Sequence, residues 1–281
     1  MKKIIALAFT LALFTSVNAQ IQTPAPSPFT KIEQKVGLTD VTLEYSRPSA
    51  KGRKIFGDLV PFGKMWRTGA NKNTIITFSD DVTVDRQTLK AGSYAIFVTP
   101  KQSSWDVIFY TDTENWGTPS EWDESKVAVK TTVKAQKTSL NVETWTISFG
   151  NLTNNSASIN FMWENTYVGV TFGVPTDKTV DDNIKKIMTG PTAGDYYAAA
   201  VYYASNDKDL KMAEKWMDKA MSMLDKPGFW QYRQQSLLYA KLGEKDKAIA
   251  AAKKSLAGAK ERGNADYIKM NEDSLKEWGA M

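Results

Sequence analysis

From Phe29 to about Pro175 the apolar residues fall on alternate positions. In VTLEY, Val41, Leu43 and Tyr45 share one side, and Thr42 and Glu44 share the other. WDVIF repeats the pattern with Trp105, Val107 and Phe109. In VETWTISF, Glu143 interrupts a set completed by Trp145, Ile147 and Phe149. SINFMW aligns Ile159, Phe161 and Trp163, and YVGVTFGV aligns Val168, Val170, Phe172 and Val174. A period of two marks half-buried strands. Turn-forming residues separate them at SDD (79–81), KAG (90–92), PKQSS (100–104) and LTNNS (152–156). The spacing predicts roughly eight to ten short antiparallel strands without intervening helices, hence a β-sandwich or a closed sheet. At one turn the chain has Asp85-Arg86 instead of the Asn-Gly or Gly-Gly that favours a tight type I′ hairpin, which argues against such a turn there.

Past Thr176 the period changes to three and four. Asp177 to Met188 reads as a first helix. Pro191 then precedes Thr192, a candidate N-cap with Asp195 three residues on. The segment from Tyr202 aligns with the segment from Leu238. It brings Ala213 over Ala248, 35 residues apart, and Tyr203 over Tyr239, 36 apart. Paired helices at this period, with small Ala at close contacts and KLGEKDKAI at 241–249, resemble the tetratricopeptide repeat. The resemblance covers two units and a closing helix, Ala265 to Trp278. The Tyr and Met residues of this part (Tyr196, Tyr197, Tyr202, Met217, Met221 and Met223) read as core. Lys245, Lys247, Lys253, Lys254 and Lys260 read as a solvated face.

The fold class is therefore β plus α in two domains: an antiparallel β-sandwich over 29–176 and a short tetratricopeptide-like helical-hairpin stack over 177–281. In front of both, Lys2 and Lys3, an apolar run from Ile4 to Phe14 and Val17-Asn18-Ala19 form a signal-peptide pattern over residues 1–19. QIQTPAPSP, residues 20–28, reads as a Pro-rich extended linker. The apolar run is short for a membrane span, and no later stretch approaches one. The reading is a soluble exported protein, periplasmic or extracellular.

The 281-residue chain contains 0 His and 0 Cys. Their absence excludes a Ser-His-Asp triad, thiol nucleophiles, disulfides and the commonest zinc ligands. No metal or cofactor is called for. Net charge is +5, or +3 once Lys2 and Lys3 leave with the leader. So slight a bias does not point to nucleic acid.

Between the strands lies GRKIFGDLVPFGKMWRTGAN, residues 52–71. Arg47, Arg53 and Arg67 can converge with backbone amides near Gly69 and Ala70, a combination that cradles carboxylate, phosphate or sulfate. Trp66 adds a stacking face and Asn71 a hydrogen-bonding edge. The alternative is a locked corner: each Arg paired with an internal acid such as Asp58, Asp80 or Asp81, and Trp66 in the core. SRPSAKGRKIFG, the following DLVPFGKMWRTGANKNTIITFSDDVTV, LKAGSYAIFVTP and WDVIFYTDTENWG together resemble an uncharacterised family of exported proteins. It is common in Bacteroidetes-type bacteria and is known only as a domain of unknown function, number twenty-nine-eleven. The resemblance implies no activity, and helical repeats follow the domain in many members.

A second cluster is ENWGTPSEWDES, where Trp116 and Trp122 flank Glu121, Asp123 and Glu124. Aromatic faces beside carboxylates suit sugars. The same acids would serve a glycan hydrolase, given two carboxyls about 5 to 9.5 Å apart. Both tryptophans read alternatively as loop anchors. DTENWG approaches a calcium loop, but Trp116 stands where a ligand belongs. GKMWRTGAN lacks the GK[ST] of a P-loop. The favoured function is a non-catalytic binding or interaction module. Its β part takes a small anion or sugar, and its helices bind a protein or peptide or brace the sheet. The rival is a carboxylate-dependent envelope glycan hydrolase.

Overall fold

A computed structural model describes residues 23–188 and 190–281; the signal-peptide pattern and the first residues of the linker lie outside that range. The chain forms two compact units, one ending at Thr176 and one beginning at Asp177.

Among the described residues the first unit holds nine antiparallel strands: β1 (Phe29–Val36), β2 (Thr39–Ser46), β3 (Ala70–Phe78), β4 (Val82–Val84), β5 (Gln87–Leu89), β6 (Gly92–Pro100), β7 (Ser104–Tyr110), β8 (Val127–Gly150) and β9 (Ser156–Gly173). Their order is β1-β2-β3-β6-β7-β8-β9-β4-β5. The long β8 carries the ladder around a corner. It pairs with β7 as far as Lys134 and with β9 from Ala135 onward. The halves on either side of β8 then face each other. The Tyr45 hydroxyl of β2 reaches the Ile147 backbone of β8, and the rings of Phe78 (β3) and Phe172 (β9) lie 5.4 Å apart. The result is the predicted antiparallel β architecture, built as two layers of one continuous ladder.

Two details differ from the sequence pattern. SINFMW and YVGVTFGV are one strand, β9, and not two. The buried set changes from odd positions (Ile159, Phe161, Trp163) to even ones (Val168, Val170, Phe172) across Glu164, whose φ is +48°. The pairing with β8 shifts register in the same place. A bulge of this kind restores the inward face after an odd spacing. Asp85-Arg86 does form a tight turn: both residues are left-handed, φ +49° and +63°, and Val84 pairs with Gln87. Asp85 Oδ2 accepts the Thr131 hydroxyl at 2.9 Å, which secures the turn without glycine.

The core of this unit is aromatic. Trp105, Trp145, Trp163 and Phe161 are almost fully buried, and Phe56 and Trp66 pack against them. Strands β6 and β7 are buried on both faces. Tyr94, Ile96, Val98, Val107 and Phe109 point into the main core. Ala95, Phe97, Ile108 and Tyr110 point outward and are covered by Met65, Trp122 and Val127. Trp122 stacks on Tyr110 with ring centres 4.4 Å apart and meets Phe97 edge-on at 5.4 Å.

The second unit has six helices: α1 (Thr176–Ile187), which begins at the last residue of the first unit, α2 (Ala193–Ser205), α3 (Leu210–Ser222), α4 (Phe229–Lys241), α5 (Lys245–Glu261) and α6 (Ala265–Glu277). Thr192 and Asp195 make a reciprocal capping box at the start of α2. Ala213 and Ala248 are buried at matching places on α3 and α5. Small side chains there let neighbouring helices approach closely. Met217 is core, as read from the sequence, but Met223 is 43% exposed. It is the C-cap residue of α3.

Candidate functional site

The segment between β2 and β3, residues 47–69, contains no strand longer than a bridge, so its own backbone groups need partners from elsewhere. Two glutamates provide them. Glu164 accepts the amides of Ile55 at 2.9 Å and Phe56 at 3.3 Å. Glu143 accepts the amide of Lys51 at 2.7 Å, and its own carbonyl accepts Ala50 N and the Trp163 indole. The Glu143 that interrupts the apolar pattern of β8 is therefore a clamp on this corner. Thr68, fully buried and left-handed at φ +56°, ties the corner's far end down. Its hydroxyl donates to Ile96 O at 2.7 Å, and its carbonyl accepts the Trp145 indole at 2.6 Å.

The acids that lock the corner thus bind its backbone and leave its arginines alone. Asp81 pairs with Lys90, and Asp80 accepts the Ser79 hydroxyl. Among the described residues, every ion pair is made by lysine. For Arg47 and Arg53, the alternative pairing with Asp58, Asp80 or Asp81 is replaced by contacts to carbonyls and one hydroxyl. Arg47 donates through Nε to Trp145 O at 3.1 Å and through Nη2 to the Thr146 hydroxyl at 2.9 Å. Arg53 donates through Nε to Ala50 O at 2.9 Å and through Nη2 to Ser49 O at 2.8 Å.

Above the corner opens a cleft of about 430 Å³. Lys51, Arg53 and Arg67 line it together with Trp66, Trp163, Gly69 and Ala70. Among the described residues, no carboxylate lines it. Pro26 and Ser27 form one lip, so the end of the Pro-rich segment docks on the sheet unit instead of hanging free. Ser27 O accepts from Asn71, and Pro28 O accepts from Arg47 N.

Of the residues singled out in the sequence, three converge on this cleft: Arg53, Trp66 and Arg67. The other five do not line it. Arg47 is turned to β8. Asn71, left-handed at φ +60°, holds the N-terminal segment and Ser46. Trp122 is a cover for the outer face of β6 and β7, and its indole donates to Glu124 at 2.7 Å. Asp123 accepts the amide and hydroxyl of Ser125 and caps a single 3-10 turn, Glu124–Lys126. Those Ser125 hydrogen bonds hold its carboxyl below the usual range, the opposite direction from a general acid. Trp116 stands 74% exposed, yet its neighbour Gly117 abuts the Arg67 guanidinium. Asp112, the first residue of the calcium-like loop, pairs instead with Lys126 at 2.8 Å. Among the described residues no group of three acids could hold a metal ion.

Sequence reasoning missed Lys51 and Trp163 as cleft residues. Trp163 reads as an ordinary inward strand position. Lys51 stands in a loop whose path depends on Glu143, 92 residues away.

A search against curated proteins and one against solved structures each return no match. Residues 27–172, just over half of the chain and including the cleft's corner, match the family described as "Protein of unknown function (DUF2911)". With β1 to β8 and nearly all of β9 inside the matched span, the chain belongs to the DUF2911 family.

Proposed function

We propose that this chain is an exported binding protein whose β unit holds a small anionic ligand in the cleft of Lys51, Arg53, Arg67 and Trp66. One observation carries the reading: three cations share a cleft of ligand size with no carboxylate in its lining. Lys51 and Arg53 are exposed and Arg67 is half-buried; like charges gathered without a counter-charge repel one another, and an anion among them relieves the repulsion. The half-buried Trp66 offers apolar surface to the ligand's body, so an acidic sugar fits as well as a simple anion. The hydrolase reading is weaker, because Glu121, Asp123 and Glu124 lie on the exposed loop and do not face the cleft.

The leader pattern supports export. N-terminal sequencing of the protein isolated from its native cell should begin at Gln20; an intact Met1 would overturn export. For the helical unit we propose a tetratricopeptide-like role in binding a protein or peptide. A groove of about 570 Å³ lined by Tyr196, Trp216, Lys215 and Lys219 supports it.

The ligand reading is tested by thermal unfolding of the mature protein against a panel of carboxylates, phosphates, sulfates and neutral sugars. Binding to the native state raises the midpoint with ligand concentration. A flat response to every anion in the panel would refute it.

A further inference from the structure

The three arginines of the corner differ in what their guanidinium groups have left to offer. An arginine grips an oxyanion best through two parallel donors, and one such edge is formed by Nε–H and the Nη2 N–H beside it. In Arg47 this edge is taken by Trp145 O and the Thr146 hydroxyl. In Arg53 it is taken by Ala50 O and Ser49 O. In Arg67 it is empty. Arg67 Nε is buried from solvent and has no hydrogen-bond partner among the described residues. Nη1, at the other side of the same group, is held against Gly117, where an added Cβ would lie 3.0 Å away. Gly117 is itself fixed, through its amide, to the buried Asn73 at 3.1 Å.

A buried donor without an acceptor is costly, and native proteins rarely retain one without a use. Here the donor belongs to a residue that lines a cationic cleft, next to Trp66 in sequence.

Resting on the ligand reading above, we propose that Arg67 is the anchor of that site. Its free Nε/Nη2 edge receives two adjacent oxygens of one oxyanion, a carboxylate, sulfate or phosphate group carried on a ligand whose body lies on Trp66. Arg53 is held by its own chain and contributes field without a fork. Arg47 belongs to the sheet. Replacing Arg67 by lysine keeps the charge and removes the paired donors. The same exchange at Arg53 removes bonds to the chain itself.

The experiment is isothermal titration of the full mature chain with four probes: inorganic phosphate, galacturonate, a sulfated disaccharide and uncharged galactose. The expected result is binding of at least one anionic probe and none of galactose. R67K should then weaken the bound probe about tenfold or more, the value of one charge-assisted hydrogen bond, while R86K, on the β4–β5 turn and outside the cleft lining, leaves it unchanged. Which anion binds identifies the source of the oxyanion.

Nitrogen-15 spectra of the unsubstituted protein give a second reading that does not depend on variants. The Arg67 Nε–H signal should move on ligand addition, and those of Arg47 and Arg53 should stay. If an anion binds and R67K binds equally well, or the Arg67 signal does not move, the anchor is wrong although the site is real. If no anionic probe binds at all, both readings fail.

Discussion

Tyr45 should be the most costly single hydroxyl to remove from the β unit. It is 2% exposed and stands on β2, while the group it bonds stands on β8 in the facing layer. The hydroxyl donates to Ile147 O at 2.9 Å and accepts from Ile147 N at 2.9 Å. It thereby supplies both halves of a backbone pair that β8 finds on no neighbouring strand. Burial pushes its pKa up, which keeps it a neutral donor across the working range. Tyr45→Phe retains the ring and leaves one buried amide and one buried carbonyl unpaired. At about 1–3 kcal/mol for each such group, with some relief from relaxation, the loss should be about 3 kcal/mol. With a urea slope of about 2 kcal/mol per molar, the midpoint should fall by about 1.5 M. Tryptophan fluorescence reads the transition, since Trp105, Trp145 and Trp163 lie in the same core. A midpoint shift below about 0.3 M with an unchanged slope would mean that the two layers do not depend on this bridge, and the argument would be wrong.

The two tryptophans of the 111–126 loop should behave oppositely. Trp122→Ala strips the cover from Tyr110 and Phe97 and should cost about 2–4 kcal/mol, whereas exposed Trp116→Ala should change stability by less than about 0.5 kcal/mol in the same urea experiment. Arg86→Gly at φ +63° should stabilise the hairpin by about 0.5 kcal/mol, visible as a small rise in melting temperature; a fall would show that the Arg86 side chain contributes a contact of its own. In the helical unit, hydrogen bonds from Lys247 and then Lys211 lower the Glu244 pKa from its ordinary 4.5 to about 2. A depressed carboxylate stabilises the fold above its unfolded value, and that contribution disappears as pH falls from about 4.5 through about 2. Helical circular dichroism during thermal melts should therefore weaken over that window, and Glu244→Gln should flatten the dependence.

Much of the architecture is legible along the chain. Alternation in VTLEY, WDVIF and VETWTISF depends only on which residues avoid water, so it survives without knowledge of partners. The capping box at Thr192 and Asp195 is legible for the same reason: donor and acceptor lie three residues apart. Long strand β8 was only half visible, because its first part alternates Val127, Val129, Thr131 and Val133 with lysines and threonines that carry little apolar contrast. The bulge at Glu164 was invisible as a bulge and appeared as a gap between two strands.

Composition alone decided that imidazole and thiol chemistry are absent, and local periodicity decided that strands precede helices. Those are properties of residues and of near neighbours. Which arginine lines the cleft with its Nε unpartnered was decided only by the folded chain. Arg47, Arg53 and Arg67 are equivalent in sequence, and they differ because carbonyls at Ser49, Ala50 and Trp145 reach two of them first. The path of those carbonyls depends on Glu143 and Glu164, which lie about a hundred residues further along the chain. Hydrogen bonds of such separation are set by how the layers pack, and no linear pattern encodes them.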